Sequence, residues 1–127
     1  MKAILDHDEK CWKELVSIIS SGKNEDSAAC CEQLRKLIVE DGGANGALCS
    51  KFVDSFDGLN AVKSALQYTN PDAERLICAI DLLTSIFDGC LNYQQGFVDA
   101  GGICTLVDVL KEQFQNKTDK QGKQIHL

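Results

Sequence analysis

Seven cysteines and two histidines are the side chains of this sequence with the most reactive chemistry. The histidines, His7 and His126, stand near the two ends, which leaves a nucleophilic cysteine no base to lean on and no third group to orient it. The cysteines fall at Cys11, Cys30, Cys31, Cys49, Cys78, Cys90 and Cys104, with no C-x-x-C pair and no two of them at the spacing of zinc ligands in a loop. Cys30 and Cys31 are adjacent, but two successive positions of a helix point different ways, one inward and one partly outward. An odd, scattered set of thiols at apolar helix positions behaves as a set of small hydrophobes. It fits a reduced protein of the cytoplasm better than a disulfide scaffold. The glycine-rich stretch Asp41-Gly42-Gly43-Ala44-Asn45-Gly46 lacks the Gly-Lys-Ser/Thr ending of a phosphate loop and follows a helix rather than a strand, so it reads as a turn. The sequence predicts no enzyme, no cofactor and no metal.

Charge narrows the partners. A net charge of −6, from thirteen Lys and Arg against nineteen Asp and Glu, gives no concentrated basic face for phosphates, so nucleic acid is not expected. The only cationic cluster, Lys111, Lys117, Lys120 and Lys123, sits in a polar C-terminal stretch that reads as solvated chain. The longest apolar runs, Leu76 to Ile80 and Leu82 to Phe87, are split by Asp81 and fall well short of the ~20 residues that span a bilayer, so no membrane insertion is expected. The start turns acidic too soon for a signal peptide, consistent with a cytoplasmic location. With 127 residues, 44% of them hydrophobic, one folded core or one short stack of units is within reach.

The elements that would position any site are helices. Apolar residues at three-and-four spacing mark a first helix (Cys11, Leu15, Ile18, Ile19), with Asp6 or Asp8 as its cap, and a second (Cys30, Cys31, Leu34, Leu37, Ile38) opened by Asp26 or Ser27. A third, from about Gly46 to Phe56, buries Leu48, Cys49, Phe52, Val53 and Phe56. A fourth carries Leu59, Val62, Ala65 and Leu66. Asn70-Pro71-Asp72 is a strong helix start, with an N-cap acceptor, a proline at the first helical position and an acid at the positive end of the dipole. The long fifth helix that follows bears Leu76, Ile77, Ile80, Leu83 and Phe87 on one side, widened by Ala79, Leu82 and Ile86. A sixth carries Leu91, Gln94, Phe97 and Val98, and a seventh Ile103, Leu106, Val107, Leu110 and Phe114. Residues 1–114 make one helical domain, and residues 115–127 are expected to form a polar, disordered tail. No segment alternates as a strand would, and the fold class is all-α.

The chain also repeats itself. Phe52-Val53-Asp54, then Gly58-Leu59, recurs as Phe97-Val98-Asp99, then Gly102-Ile103, at separations of 45 and 44 residues. Val62, Ala65 and Leu66 continue the match onto Leu106, Val109 and Leu110 at 44, and Leu15, Ile18 and Ile19 give a weaker third copy 47 residues before Val62, Ala65 and Leu66. A period of this length made of two or three helices is the signature of helical repeats whose units stack because none can bury its apolar face alone.

The segment Gly96 to Leu110, with Phe97-Val98-Asp99-Ala100-Gly101-Gly102-Ile103 and then Leu106-Val107 and Leu110, resembles the junction between the first two helices of an armadillo repeat. Phe56-Asp57-Gly58-Leu59 and Cys78 to Gly89 are also similar to the armadillo-like regulatory region of formins. The resemblance implies a short right-handed α-solenoid of three-helix, armadillo-like repeats with about seven helices. It further implies a protein–protein interaction module, an adaptor or regulatory scaffold, that binds another protein or a peptide segment on the surface lined by the long helices. On that surface the expected partner-binding residues are Glu32, Arg35, Glu74, Arg75, Cys78, Asp81 and Ser85. Asp81 and Ser85 stand where the family commonly has tryptophan and asparagine, and a serine hydroxyl imitates an asparagine clamp on a peptide backbone only in part. The alternative is self-association, or docking onto a larger helical-repeat assembly, through exposed ends of the stack.

Overall fold

The computed structural model describes residues 9–21, 24–67 and 73–121, without the side chains of residues 24, 25, 73 and 113–121. Every regular element among them is helical: α1 (Glu9–Ser21), α2 (Asn24–Glu40), a 3-10 turn (Gly43–Asn45), α3 (Ala47–Ser50) with a π turn after it (Lys51–Ser55), α4 (Gly58–Leu66), α5 (Ala73–Phe87), α6 (Leu91–Asp99) and α7 (Gly102–Gln121). The expected caps at Asp6, Asp8 and Asn70-Pro71-Asp72 lie outside the described residues. Asp26 and Ser27 do not open α2 but lie inside it, and the buried Ser27 hydroxyl donates to the Ile19 carbonyl at 3.0 Å, fastening α2 to the end of α1. Helix α7 runs on to Gln121, past the point where its apolar period stops.

The helices form two rows. Helix α1 lies against α4 and α4 against α7, while α2 runs along α5; α1 also meets α2, and α4 meets α5. The core joins both rows through Ile19, Leu34, Ile38, Leu48, Val62, Leu66, Leu82 and Ile86, all buried. Trp12 is fully enclosed, stacked on Phe56 at 5.4 Å and 12° and lying 6.3 Å from Phe52. It is a packed residue rather than a free anchor.

The two segments that match in sequence share unusual local geometry. Asp57 and Gly101, 44 residues apart, both have positive φ, 54° and 82°, and each immediately precedes the glycine that starts a helix. Asp tolerates this left-handed conformation at some cost, and Asn60 donates from its amide to both Asp57 carboxylate oxygens, at 2.9 and 2.8 Å. Gly58 and Gly102 are buried, and a Cβ on either would run into an aromatic ring, Phe52 in one case and Phe97 in the other. Phe52 and Phe97 are themselves buried. The phenylalanine and the glycine are six residues apart in the first copy and five in the second. The π turn takes up the difference: Phe56 N–H donates to the Lys51 carbonyl five residues back, where Ala100 N–H donates to Gly96 four back.

Several positions expected in the core are exposed: Ile77 and Ile80 on α5, Leu91 and Val98 on α6, and Ile103, Val107 and Leu110 on α7. On α5 the apolar residues extend nearly around the helix, so periodicity alone does not choose a side. Leu76, Ala79, Leu82, Leu83 and Ile86 are the ones that turn inward.

Candidate functional site

Two surfaces qualify as places for recognition. The first is the strip along α2 and α5, where the sequence puts the partner-binding residues. Glu32 and Arg35 lie one turn apart on α2 and pair through two hydrogen bonds, Nη2 to Oε1 at 2.6 Å and Nε to Oε2 at 3.1 Å. The Lys36 ammonium stands 4.0 Å from the same carboxylate. The hydrogen bond from Arg35 holds the Glu32 carboxyl below its ordinary pKa, and Glu32 in turn raises that of Arg35, to which Asp81 of α5 adds a smaller contribution. Burial pushes the Cys78 thiol up, and the charges of Glu32, Glu74 and Asp81 push it further. Glu32, Arg35, Glu74, Cys78 and Asp81 therefore feel one another across the seam. Ala28, Ala29, Glu32, Gln33, Glu74 and Cys78 line a shallow depression there of about 440 Å³.

Arg75 does not belong to this strip. It was expected on the solvent side of the long helix, but it is 2% exposed, on the inner face beside Leu76 and Ala79. Its long aliphatic stem lets an arginine take a position that an apolar stripe would otherwise fill. Ser85 is half-buried on the same helix. The strip's chemistry is that of acids with one arginine already matched, suited to a cationic or hydrogen-bonding segment and carrying no activated nucleophile. Burial raises the Cys31 thiol to about 12 and the Cys49 thiol to about 11, which keeps both protonated at neutral pH. Among the described residues no group of three or more His, Cys, Asp and Glu could hold a metal ion, and no helix is long and apolar enough to cross a membrane.

The second surface is apolar; the sequence reading allowed for exposed ends of the stack but assigned the residues that form this one, Ile103 and Leu110, to the core. Aligning α4 with α7 at 44 residues sets buried Leu59 (7% exposed) against Ile103 (51%) and buried Leu66 (1%) against Leu110 (59%). In contrast, Gly58 and Gly102, Ala61 and Thr105, and Ala65 and Val109 are buried in both copies. Of the positions buried in both, Ala61, Thr105, Ala65 and Val109 lie on the side of the preceding helix of the row, α1 for α4 and α4 for α7, while Gly58 and Gly102 meet Phe52 and Phe97. Those that differ are covered in the first copy, where α5 and α6 lie against α4 and Leu59 meets Gly96 of α6, and uncovered in the second. Ile77 and Ile80 on the outer side of α5 extend the same character. The signal was present in the sequence as the Leu59/Ile103 and Leu66/Leu110 matches, but only the neighbours of each copy decide which is covered.

A third hollow, about 490 Å³, lies between the turn at Ala44-Asn45-Gly46 and the start of α6. Ser50 donates to Asp54 at 3.2 Å, and burial is the main cause that raises the pKa of the Tyr93 phenol. These groups leave a small polar dent. Compared with models of known protein families, with curated proteins and with solved structures, the chain has no match.

Proposed function

We propose that this chain is a protein–protein interaction module, built as a short right-handed α-solenoid of armadillo-like units and acting as an adaptor or regulatory scaffold, that receives its partner on the uncovered faces of α5 and α7. The observation that carries this reading is the reversal of burial between Leu59 and Leu66 on α4 and Ile103 and Leu110 on α7. Exposed aliphatic side chains on two helices that both border α4 and α6 are what interaction surfaces supply, since their burial is favourable at roughly 25 cal/mol per Å². The matched Phe52–Gly58 and Phe97–Gly102 contacts and the positive φ at Asp57 and Gly101 support the repeat on which the solenoid reading stands. The raised pKa of the buried Cys31 and Cys49 thiols supports binding over catalysis by these cysteines.

A second reading, favoured by the convergence of Glu32, Arg35, Glu74, Cys78 and Asp81, places an extended segment along α2 and α5. Co-purification from extract separates the two. Partners lost on Leu110→Asp but kept on the double change of Glu32 and Asp81 to alanine support docking at α5 and α7. The opposite pattern moves the site to the acidic strip, and a partner set indifferent to both discards both surfaces.

A further inference from the structure

The uncovered face has a shape, and the molecule holds a filled version of it. Helix α5 rests on α2 and α4 together. The burial pattern of α2 matches that of α5 at a separation of 48 residues: Ser27 with Arg75, Ala28 with Leu76, Cys31 with Ala79, Leu34 with Leu82 and Ile38 with Ile86 are all buried. That of α4 matches α7 at 44, save at the uncovered positions. Helices α5 and α7 thus stand to the open slot as α2 and α4 stand to α5.

We propose that this slot takes an amphipathic α-helix of a partner protein, about the length of α5 (15 residues) and apolar on two adjoining flanks. The inference rests on the reading of α5 and α7 as the docking side and adds the nature of the occupant. One flank covers Leu110, the counterpart of Leu66 on α4; Leu59, the counterpart of Ile103, lies against α6 at Gly96. The other flank is set by α5. At the 48-residue register Ile77 and Ile80 occupy the places of Ala29 and Glu32, which on α2 line the seam with α5. A small and an acidic residue there are replaced by two branched aliphatics, so the occupant carries apolar side chains where α5 carries Glu74 and Cys78.

The probe is a lysine-tailed synthetic peptide of residues 73–87 carrying Glu74→Leu and Cys78→Leu, the helix that fills the equivalent slot fitted to the apolar flank of α5, titrated into the full chain by fluorescence anisotropy with its helicity followed by circular dichroism. Saturable binding with a gain in helix, weakened about tenfold or more by Leu110→Asp and by Ile80→Asp but not by Asp81→Ala, is the expected result. Because Leu110 and Ile80 are exposed, both variants should keep the wild-type melting profile. Failure of the peptide to bind, or binding indifferent to Leu110→Asp, overturns the helical occupant. If co-purified partners are still lost on Leu110→Asp, the docking face survives that failure; if they are not, both readings fall. A dimer of the chain alone, dissolved by Leu110→Asp in sedimentation, gives the slot to a second copy and also overturns the proposal.

Discussion

Helices α4 and α7 carry the same pattern 44 residues apart, yet Leu66 is enclosed while Leu110 stands in solvent. Each begins at a glycine pressed against a phenylalanine ring, each follows a residue of positive φ, and each packs its Ala61/Thr105 and Ala65/Val109 side against the preceding helix of the row. They part company on the other side, where α4 has α5 and α7 has an open slot. In a stacked unit a residue's burial is therefore a property of its neighbour as much as of its own helix, and a conserved-looking core position can be a binding position one unit later.

The comparison breaks most readily at its widest gap. Leu66→Ala is expected to cost about 2–5 kcal/mol, through lost burial and a residual cavity, whereas Leu110→Ala should stay within about 0.5 kcal/mol; urea unfolding of the two variants measures both, and equal losses would mean that the two positions share an environment. Next come the glycines. Gly58→Ala and Gly102→Ala each drive a methyl into a buried ring and should each destabilise by about 1–3 kcal/mol, with similar shifts in thermal midpoint. A large loss in one and none in the other would separate the copies. A smaller effect tests how the copies are joined: Lys63 of α4 donates to the Ala100 carbonyl at the end of α6 at 2.7 Å, and Lys63→Met should cost about 0.5–1.5 kcal/mol. The smallest effect concerns the acidic strip, away from both copies. Because Arg35 lowers the Glu32 pKa, the unfolded chain takes up that proton first, so the pair's contribution is present above the ordinary carboxylate range and fades as pH falls through it. The stability gap between Arg35→Ala and the wild type should therefore narrow as pH falls through the carboxylate range, and a gap that widens on acidification would contradict the assignment.

Much of the helical layout was legible because glycines and polar breaks punctuate it. The end of α2 falls at the Asp41-to-Gly46 turn where the sequence places it, and Phe52, Phe97, Leu34, Leu48 and Val62 are buried as their spacing predicts. The π turn was not legible, since the lone extra residue between Phe52 and Gly58 has no compositional mark; it shows only as the change in separation from 45 to 44. The side chosen by α5 was not legible either, because a helix apolar nearly all round has no preferred face until its neighbours are placed. That is why Ile77 and Ile80 were assigned inward and Arg75 outward, each the reverse of what is found. Of the residues named for the candidate site, Glu32, Arg35, Glu74, Cys78 and Asp81 do converge, because a turn-spaced pair on α2 faces a turn-spaced set on α5.

The π turn at Lys51–Ser55 has a consequence for phase. One residue added to a continuous α-helix turns everything after it by about 100° and advances it by about 1.5 Å. Such a twist would carry Phe52 off the glycine it must meet. Widening one turn absorbs the added residue locally, so α4 enters the stack with the same orientation that α7 reaches with one residue fewer. Deleting a single residue from Val53 to Ser55 would, on this account, close the loop to an ordinary α turn and leave the downstream helices in register.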